Sequence, residues 1–179
     1  MEESSFLHPG KSLQALHLSD GMRVADFGAG SGFFTRSAAH AVAPTGVVWA
    51  VDLNPDLLSR IKNISVAEGL SNVEVVRGDI EAIEGSHLPA SDFDIVIASN
   101  LFFSLEDRLA GAREIARVLK PEGRALVIDW RDSFDGLGPH PDHVLTVGAA
   151  RDIFEKVGLV YVEDVPAGEY HWGFITRRK

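Results

Sequence analysis

Val24-Ala25-Asp26-Phe27-Gly28-Ala29-Gly30-Ser31-Gly32, with Asp52 closing the later run Val47-Val48-Trp49-Ala50-Val51, is the stretch that decides the fold of this chain. The first piece predicts a buried strand running into a glycine-rich turn, with a helix from Phe33. The second predicts the next strand, ended by a carboxylate. Glycines let backbone approach a ligand closely, because no Cβ intervenes and positive φ costs little. A carboxylate about 20 residues further on, at the tip of the adjacent strand, is placed to accept hydrogen bonds from two ribose hydroxyls. Together these features describe a site for an adenosine-containing cofactor. A dinucleotide fingerprint requires G-x-G-x-x-G. Here the pattern is Gly28-x-Gly30-x-Gly32, and Phe33 stands where the third glycine of that fingerprint would be.

The pattern D-x-G-x-G-x-G after an apolar strand, with the later acidic residue, resembles the class I S-adenosylmethionine-dependent methyltransferases. The resemblance runs from about Gly21 to the C-terminus and includes the turn Leu119-Lys120-Pro121-Glu122-Gly123-Arg124. Within the class it is closest to the small ubiquinone/menaquinone-biosynthesis-type group. It implies S-adenosylmethionine as cofactor, with its methionine part against the turn of Asp26, Gly28, Ala29, Gly30 and Gly32. It also implies that Asp52 and Leu53 hold the ribose, that Asp79 and Ile80 take the adenine, and that Ser99 faces cofactor and substrate. Asp79 has a second reading, as the cap of a turn or helix. Arsenite methyltransferases resemble this group but depend on cysteines, and this chain has none.

Outward from the glycine turn, strand and helix signals alternate. A short helix is predicted over residues 11–18, a strand over 23–27, and a helix with Phe34, Ala38, Ala41 and Val42 on one face. Asn54-Pro55 reads as an N-cap followed by a first-turn proline. Leu57, Leu58, Ile61 and Ile64 stripe that helix, and Gly69 stops it. Strands follow at 73–77 and 93–99. Ser104 with Asp107 predicts a capping-box-like start for a helix that ends at 120–123, before a strand at 124–130. A helix over 146–158 and strands at 160–165 and 170–176 complete the chain, the last two as an antiparallel hairpin. Such alternation predicts an α/β fold, a Rossmann-like, doubly wound, mostly parallel sheet. The resemblance implies seven strands in the order 3-2-1-4-5-7-6. Residues 1–179 read as one domain, with 1–20 as an N-terminal helix or lid segment.

Ligands in such sheets lie beyond the carboxyl ends of the strands. At the fourth tip, Ala98-Ser99-Asn100-Leu101-Phe102-Phe103, the Asn-Pro-Pro-Tyr type of motif carried by base-amino methyltransferases is missing. Phe102 and Phe103 read equally as an apolar substrate wall or as core. The fifth tip, Asp129-Trp130-Arg131, opens into the longest irregular stretch, residues 132–142, and such loops are often functional. Asp129 and His140 are the candidates by position for a general base, which is needed only if the acceptor must lose a proton. Their plainer readings are a strand-end carboxylate paired with Arg131 or Arg124, and a solvated histidine. His140 and His143 lack a clear third metal ligand, so no metal site is expected. His171 is expected to pack at the sheet edge.

Composition bounds the rest. With 179 residues, 45% hydrophobic and 24% charged, the chain suits a soluble globule with a real core. Its acidic N-terminus shows no signal peptide, and no apolar run approaches the roughly 20 residues of a membrane span. The absence of cysteine agrees with a cytoplasmic location. The net charge of −9 argues against a nucleic-acid partner and leaves a small-molecule substrate. The expected function is therefore methyl transfer from S-adenosylmethionine to a small molecule. The alternatives are a nicotinamide-dependent oxidoreductase and a non-catalytic cofactor-binding partner subunit.

Overall fold

The computed structural model describes residues 9–179. In chain order these form α1 (Pro9–Gln14), β1 (Arg23–Phe27), α2 (Phe33–Val42), β2 (Val47–Asp52), α3 (Pro55–Ala67), β3 (Val73–Arg77) and β4 (Phe93–Ser99). A 3-10 turn (Phe102–Ser104), α4 (Arg108–Val118), β5 (Leu119–Trp130), a second 3-10 turn (Pro141–His143), α5 (Val147–Lys156), β6 (Leu159–Asp164) and β7 (His171–Arg178) follow. The seven strands make one sheet of order β3-β2-β1-β4-β5-β7-β6. Strands β1 to β5 pair in parallel, and β7 runs antiparallel between β5 and β6.

The period of two along each strand divides the core. Val24 faces a cluster with Leu13, Leu16, Val42 and Ile61 under α1, α2 and α3. Ala25 and Phe27 face a cluster with Ile115, Phe154 and Phe174 under α4 and α5. Two-sided burial is why β4 is almost continuously apolar. Each parallel strand consequently points its carboxyl end at the same edge of the sheet, and the loops at that edge carry the site.

The elements depart from the predicted ones in a few places. The first helix covers Pro9–Gln14 rather than residues 11–18. The chain tightens beyond Gln14 into i→i−3 bonds, Leu16 N to Leu13 O and His17 N to Gln14 O, and His17 at φ 49° ends it. Ala41 is exposed, and Thr35 and Ala39 complete the buried stripe of α2. Ser104 does not start α4. Its hydroxyl donates to Leu101 O at 2.7 Å within the 3-10 turn, and Asp107 caps the helix by accepting from Ala110 N at 2.9 Å. The predicted turn at 120–123 lies inside β5 as a bulge, because Leu119 pairs with Phe93 and the next pair is Arg124 with Ile95. The N-cap of α3 is as expected, with Asn54 Oδ1 accepting from Asp56 N at 2.9 Å.

Candidate functional site

The glycine turn follows β1 at the carboxyl edge. Gly28, Gly30 and Gly32 have φ of 67°, 53° and 76°, a left-handed run that side chains resist. Their environments differ. A Cβ at Gly28 would come within 2.7 Å of Leu101, and one at Gly32 within 2.7 Å of Ile61. Among the described residues, a Cβ at Gly30 would meet nothing closer than Gly28 O at 3.8 Å. Packing therefore explains Gly28 and Gly32 in part, whereas Gly30 borders open space.

That space consists of two adjoining cavities, both lined by Gly28, Gly30 and Asn100. The smaller, about 310 Å³, is also bordered by Asp52, Leu53, Asp79, Ile80 and Leu101. The larger, about 650 Å³, is bordered by Asp26, Ala29, Phe33, Phe34, Ser37 and Ser99, with Gly10 of α1 at its rim. Of the cofactor residues expected from sequence, all except Gly32 line one or both cavities. Gly32 instead begins α2 and lies against α3.

Asp52 holds the turn in place. Its Oδ2 accepts from Gly30 N and its Oδ1 from Asn54 N, both at 2.9 Å. A carboxylate offers about four lone-pair directions, so acceptor capacity remains toward the smaller cavity. Asp79 is exposed at the third tip and accepts from Glu81 N at 3.0 Å, so it caps its turn while bordering the cavity. Both of its readings fit the geometry. Asp26 lies behind the turn at 2% exposure, and Thr35 Oγ1 of α2 donates to its Oδ2 at 2.6 Å. Burial pushes its carboxyl up to about 7 against the Thr35 hydrogen bonds, and the nearby Asp52 charge adds to the rise. It is the only ionisable side chain among the described residues that line the larger cavity.

The two proposed catalytic residues are not brought to the cavities. Asp129 is fully buried, with Oδ2 accepting from Phe103 N at 2.9 Å and Oδ1 from Trp130 N at 2.8 Å. It anchors the fourth tip to the fifth. Burial raises its carboxyl to about 6, opposed by those amides and by the Arg108 charge. Its partners are thus backbone amides rather than the expected Arg131 or Arg124, which donate to His171 O and Leu16 O. His140 is exposed and accepts from Asp142 N at 3.4 Å in the second 3-10 turn. Phe102 is core, its ring centroid 5.0 Å from that of Phe154. Phe33 and Phe34 border the larger cavity in its place. His171 is interior rather than at an edge, since β7 has a neighbour on each side.

Asn100 is a site residue that sequence reasoning did not select. It sits at φ 53°, it lines both cavities, and its Oδ1 is buried without a partner among the described residues. A signal existed, since asparagine is the side chain that best tolerates this conformation at a strand end.

The geometry suits an adenosyl cofactor with an amino-acid tail. A cradle that a side chain would fill lies at Gly30, a carboxylate stands at the second tip, and apolar Leu53, Ile80 and Leu101 offer a ring its walls. Among known proteins, a family described as a methyltransferase domain matches residues 18–157. The ubiquinone/menaquinone biosynthesis C-methyltransferase UbiE of Pasteurella multocida is 33% identical over 155 residues, 84% of this chain and 54% of that protein. Its counterpart in Pseudomonas fluorescens is 34% identical over 111 residues, 62% of this chain and 42% of that protein. The chain thus spans about half the length of the curated relatives it matches. A solved structure described as a SAM dependent methyltransferase from Aquifex aeolicus superposes with a TM-score of 0.87 at 28% identity, covering 98% of this chain and 92% of that one. The chain belongs to the methyltransferase domain family, in the class I S-adenosylmethionine-dependent group whose fold and strand-tip motifs it carries.

Proposed function

We propose that this chain transfers the methyl group of S-adenosylmethionine to a small molecule held in the larger cavity. The observation that carries this reading is the open face of Gly30 at the junction of two cavities, with Asp52 pinning that glycine from the second strand tip. When bound, the cofactor supplies a methyl group already activated on a positively charged sulfur. The work left to the chain is alignment and exclusion of water, a proximity effect. Asp52 and Leu53 hold the ribose, Asp79 and Ile80 meet the adenine, and Gly28, Ala29 and Gly30 give the methionine part a backbone surface. Asp26 faces that end as a carboxyl with no cation beside it among the described residues, and Ser99 and Asn100 border the acceptor. Asp129 and His140 are given no role in this reading, since neither borders the two cavities.

Phe33 and Phe34 make an apolar wall that suits an aromatic or otherwise flat acceptor. The curated relatives are C-methyltransferases of quinone biosynthesis by name, and a quinone-like ring is the finer reading. Residues 9–20 border the larger cavity through Gly10 and act as a lid within a single domain, 1–179; residues 1–8 of that segment lie outside the described residues. We infer a cytoplasmic location and no nucleic-acid partner, the latter supported by the net charge of −9. Among the described residues no helix is long and apolar enough to cross a membrane.

The test is turnover. The purified chain, S-adenosylmethionine and a panel of small aromatic and aliphatic acceptors should yield S-adenosylhomocysteine with at least one acceptor and a matching methylated product. Cofactor binding without turnover on any acceptor would favour the partner-subunit alternative.

A further inference from the structure

A third cavity, about 490 Å³, lies at the same edge of the sheet but away from the glycine turn, between the β6–β7 hairpin and the first turns of α5. Its wall is apolar at Val147, Val165, Ala167 and Trp172, and it is bordered by Arg131, Arg151, Asp164 and His171. Among the described residues, three buried polar atoms without a hydrogen-bond partner belong to two of these side chains: Nδ1 and Nε2 of His171 and Nε of Arg151. Buried polar groups are nearly always satisfied, so such a concentration calls for a partner.

The side chains are held in place. The His171 ring, 2% exposed, packs against Trp130, its cross-strand neighbour, with centroids 4.3 Å apart and the rings tilted by 39°. The Arg151 guanidinium lies 4.2 Å over the Tyr161 ring, and one of its terminal nitrogens pairs with Asp164. Arg131 donates one N–H to His171 O at 3.0 Å and is otherwise exposed. Two guanidinium groups thus face one carboxylate, and that carboxylate is 66% exposed. The cavity is electropositive in a chain of net charge −9. Burial holds the imidazole of His171 down at about 4, so at neutral pH it is an uncharged donor and acceptor.

We propose that this cavity is a binding site for a small organic carboxylate, distinct from the methyl-transfer site. The ligand's carboxylate takes the Nε–Nη edge of Arg151, the side-on geometry in which a guanidinium holds a carboxylate by two parallel bonds. Asp164 now uses only the Nη of that edge and can turn into solvent. Arg131 supplies a second positive charge, a His171 N–H turned toward the ligand supplies a neutral donor, and the ligand's apolar part lies on Val165 and Trp172. An inorganic anion would meet the same charges but leave the apolar wall bare.

The titrations use the full chain without cofactor, so binding is read independently of the methyltransferase reading, and S-adenosylmethionine enters only as a competitor. Sodium benzoate is titrated at fixed ionic strength while the His171 ring nitrogens are followed by long-range 1H–15N correlation, the resonance being assigned by its loss in His171→Phe. Inorganic phosphate serves as the parallel arm. Saturable movement of the His171 resonances with benzoate is expected, with phosphate weaker. Arg151→Met and Arg151→Lys should each weaken benzoate by about tenfold or more. The lysine variant keeps the charge and loses only the fork, and circular dichroism checks the fold of both. Saturating S-adenosylmethionine should not displace benzoate. A His171 signal that does not move, unchanged affinity in a folded Arg151→Lys, phosphate binding as tightly as benzoate, or displacement by S-adenosylmethionine would each overturn the proposal.

Discussion

Replacing Gly30 by valine separates the ligand-facing part of the glycine turn from its structural part. At φ 53° a side chain costs about 1–2 kcal/mol. Among the described residues the new Cβ meets no atom closer than 3.8 Å, so no core packing there is lost. For a chain of this size the melting temperature should therefore fall by only about 2–8 °C. The valine branches then stand in the junction of the two cavities, where the cofactor must lie on backbone. Affinity for S-adenosylmethionine should drop more than about a hundredfold, roughly 2.7 kcal/mol. Gly32→Ala is the internal control. Its Cβ would lie 2.7 Å from Ile61 at φ 76°, adding about 1–3 kcal/mol of overpacking to a similar strain. That variant should melt lower than Gly30→Val yet keep measurable binding while folded, because Gly32 borders neither cavity. Calorimetric titration beside thermal melts of the free protein reads both quantities. Near-normal affinity in Gly30→Val, or loss of binding in folded Gly32→Ala alone, would refute the assignment of Gly30 as the cradle.

Three further outcomes follow from the same geometry. Asp52→Ala should weaken S-adenosylmethionine by about 1–3 kcal/mol; it should also lower the melting temperature of the free protein by a few degrees, because the Gly30 and Asn54 amides lose their acceptor. Asp26 has a carboxyl raised to about 7 in the folded protein, so its stabilising contribution is complete below about pH 4 and is lost as pH rises through 7. Asp26→Asn should accordingly flatten the fall of melting temperature across that window, and wild-type binding of the cationic cofactor should strengthen as pH rises through 7 while the variant's does not. Glu114 is 4% exposed and takes hydrogen bonds from Ser86 and from Arg117 at 2.7 Å; Glu114→Ala should cost about 2–4 kcal/mol in urea unfolding and leave cofactor affinity unchanged.

The middle of the sheet was legible because β1, β4 and the second half of β5 are buried on both faces and leave mostly apolar runs, each closed by a polar or glycine tip. The juxtaposition of Gly30 and Asp52 was legible for a different reason: β1 and β2 are neighbours in the sheet, so their tips stand side by side. The acceptor half was not. Phe102 and Phe103 follow a tip, and nothing local tells which way a 3-10 turn will direct them; Phe102 is core, and Phe33 and Phe34 of α2 line the larger cavity. Asp129 looked catalytic by position, but its direction depends on the amide of Phe103, 26 residues away and visible only once the fourth and fifth tips meet. Asn100 depends on backbone conformation, which composition does not carry. A terminal antiparallel hairpin suggests an edge position for His171, whereas the crossover puts β7 between β5 and β6.

The most direct measurement is a pair of calorimetric titrations of the wild-type chain, one with S-adenosylmethionine and one with NAD. Saturable one-to-one binding of S-adenosylmethionine, with no heat of binding for NAD, is the predicted result. Saturable NAD binding with none for S-adenosylmethionine would contradict the account at its centre.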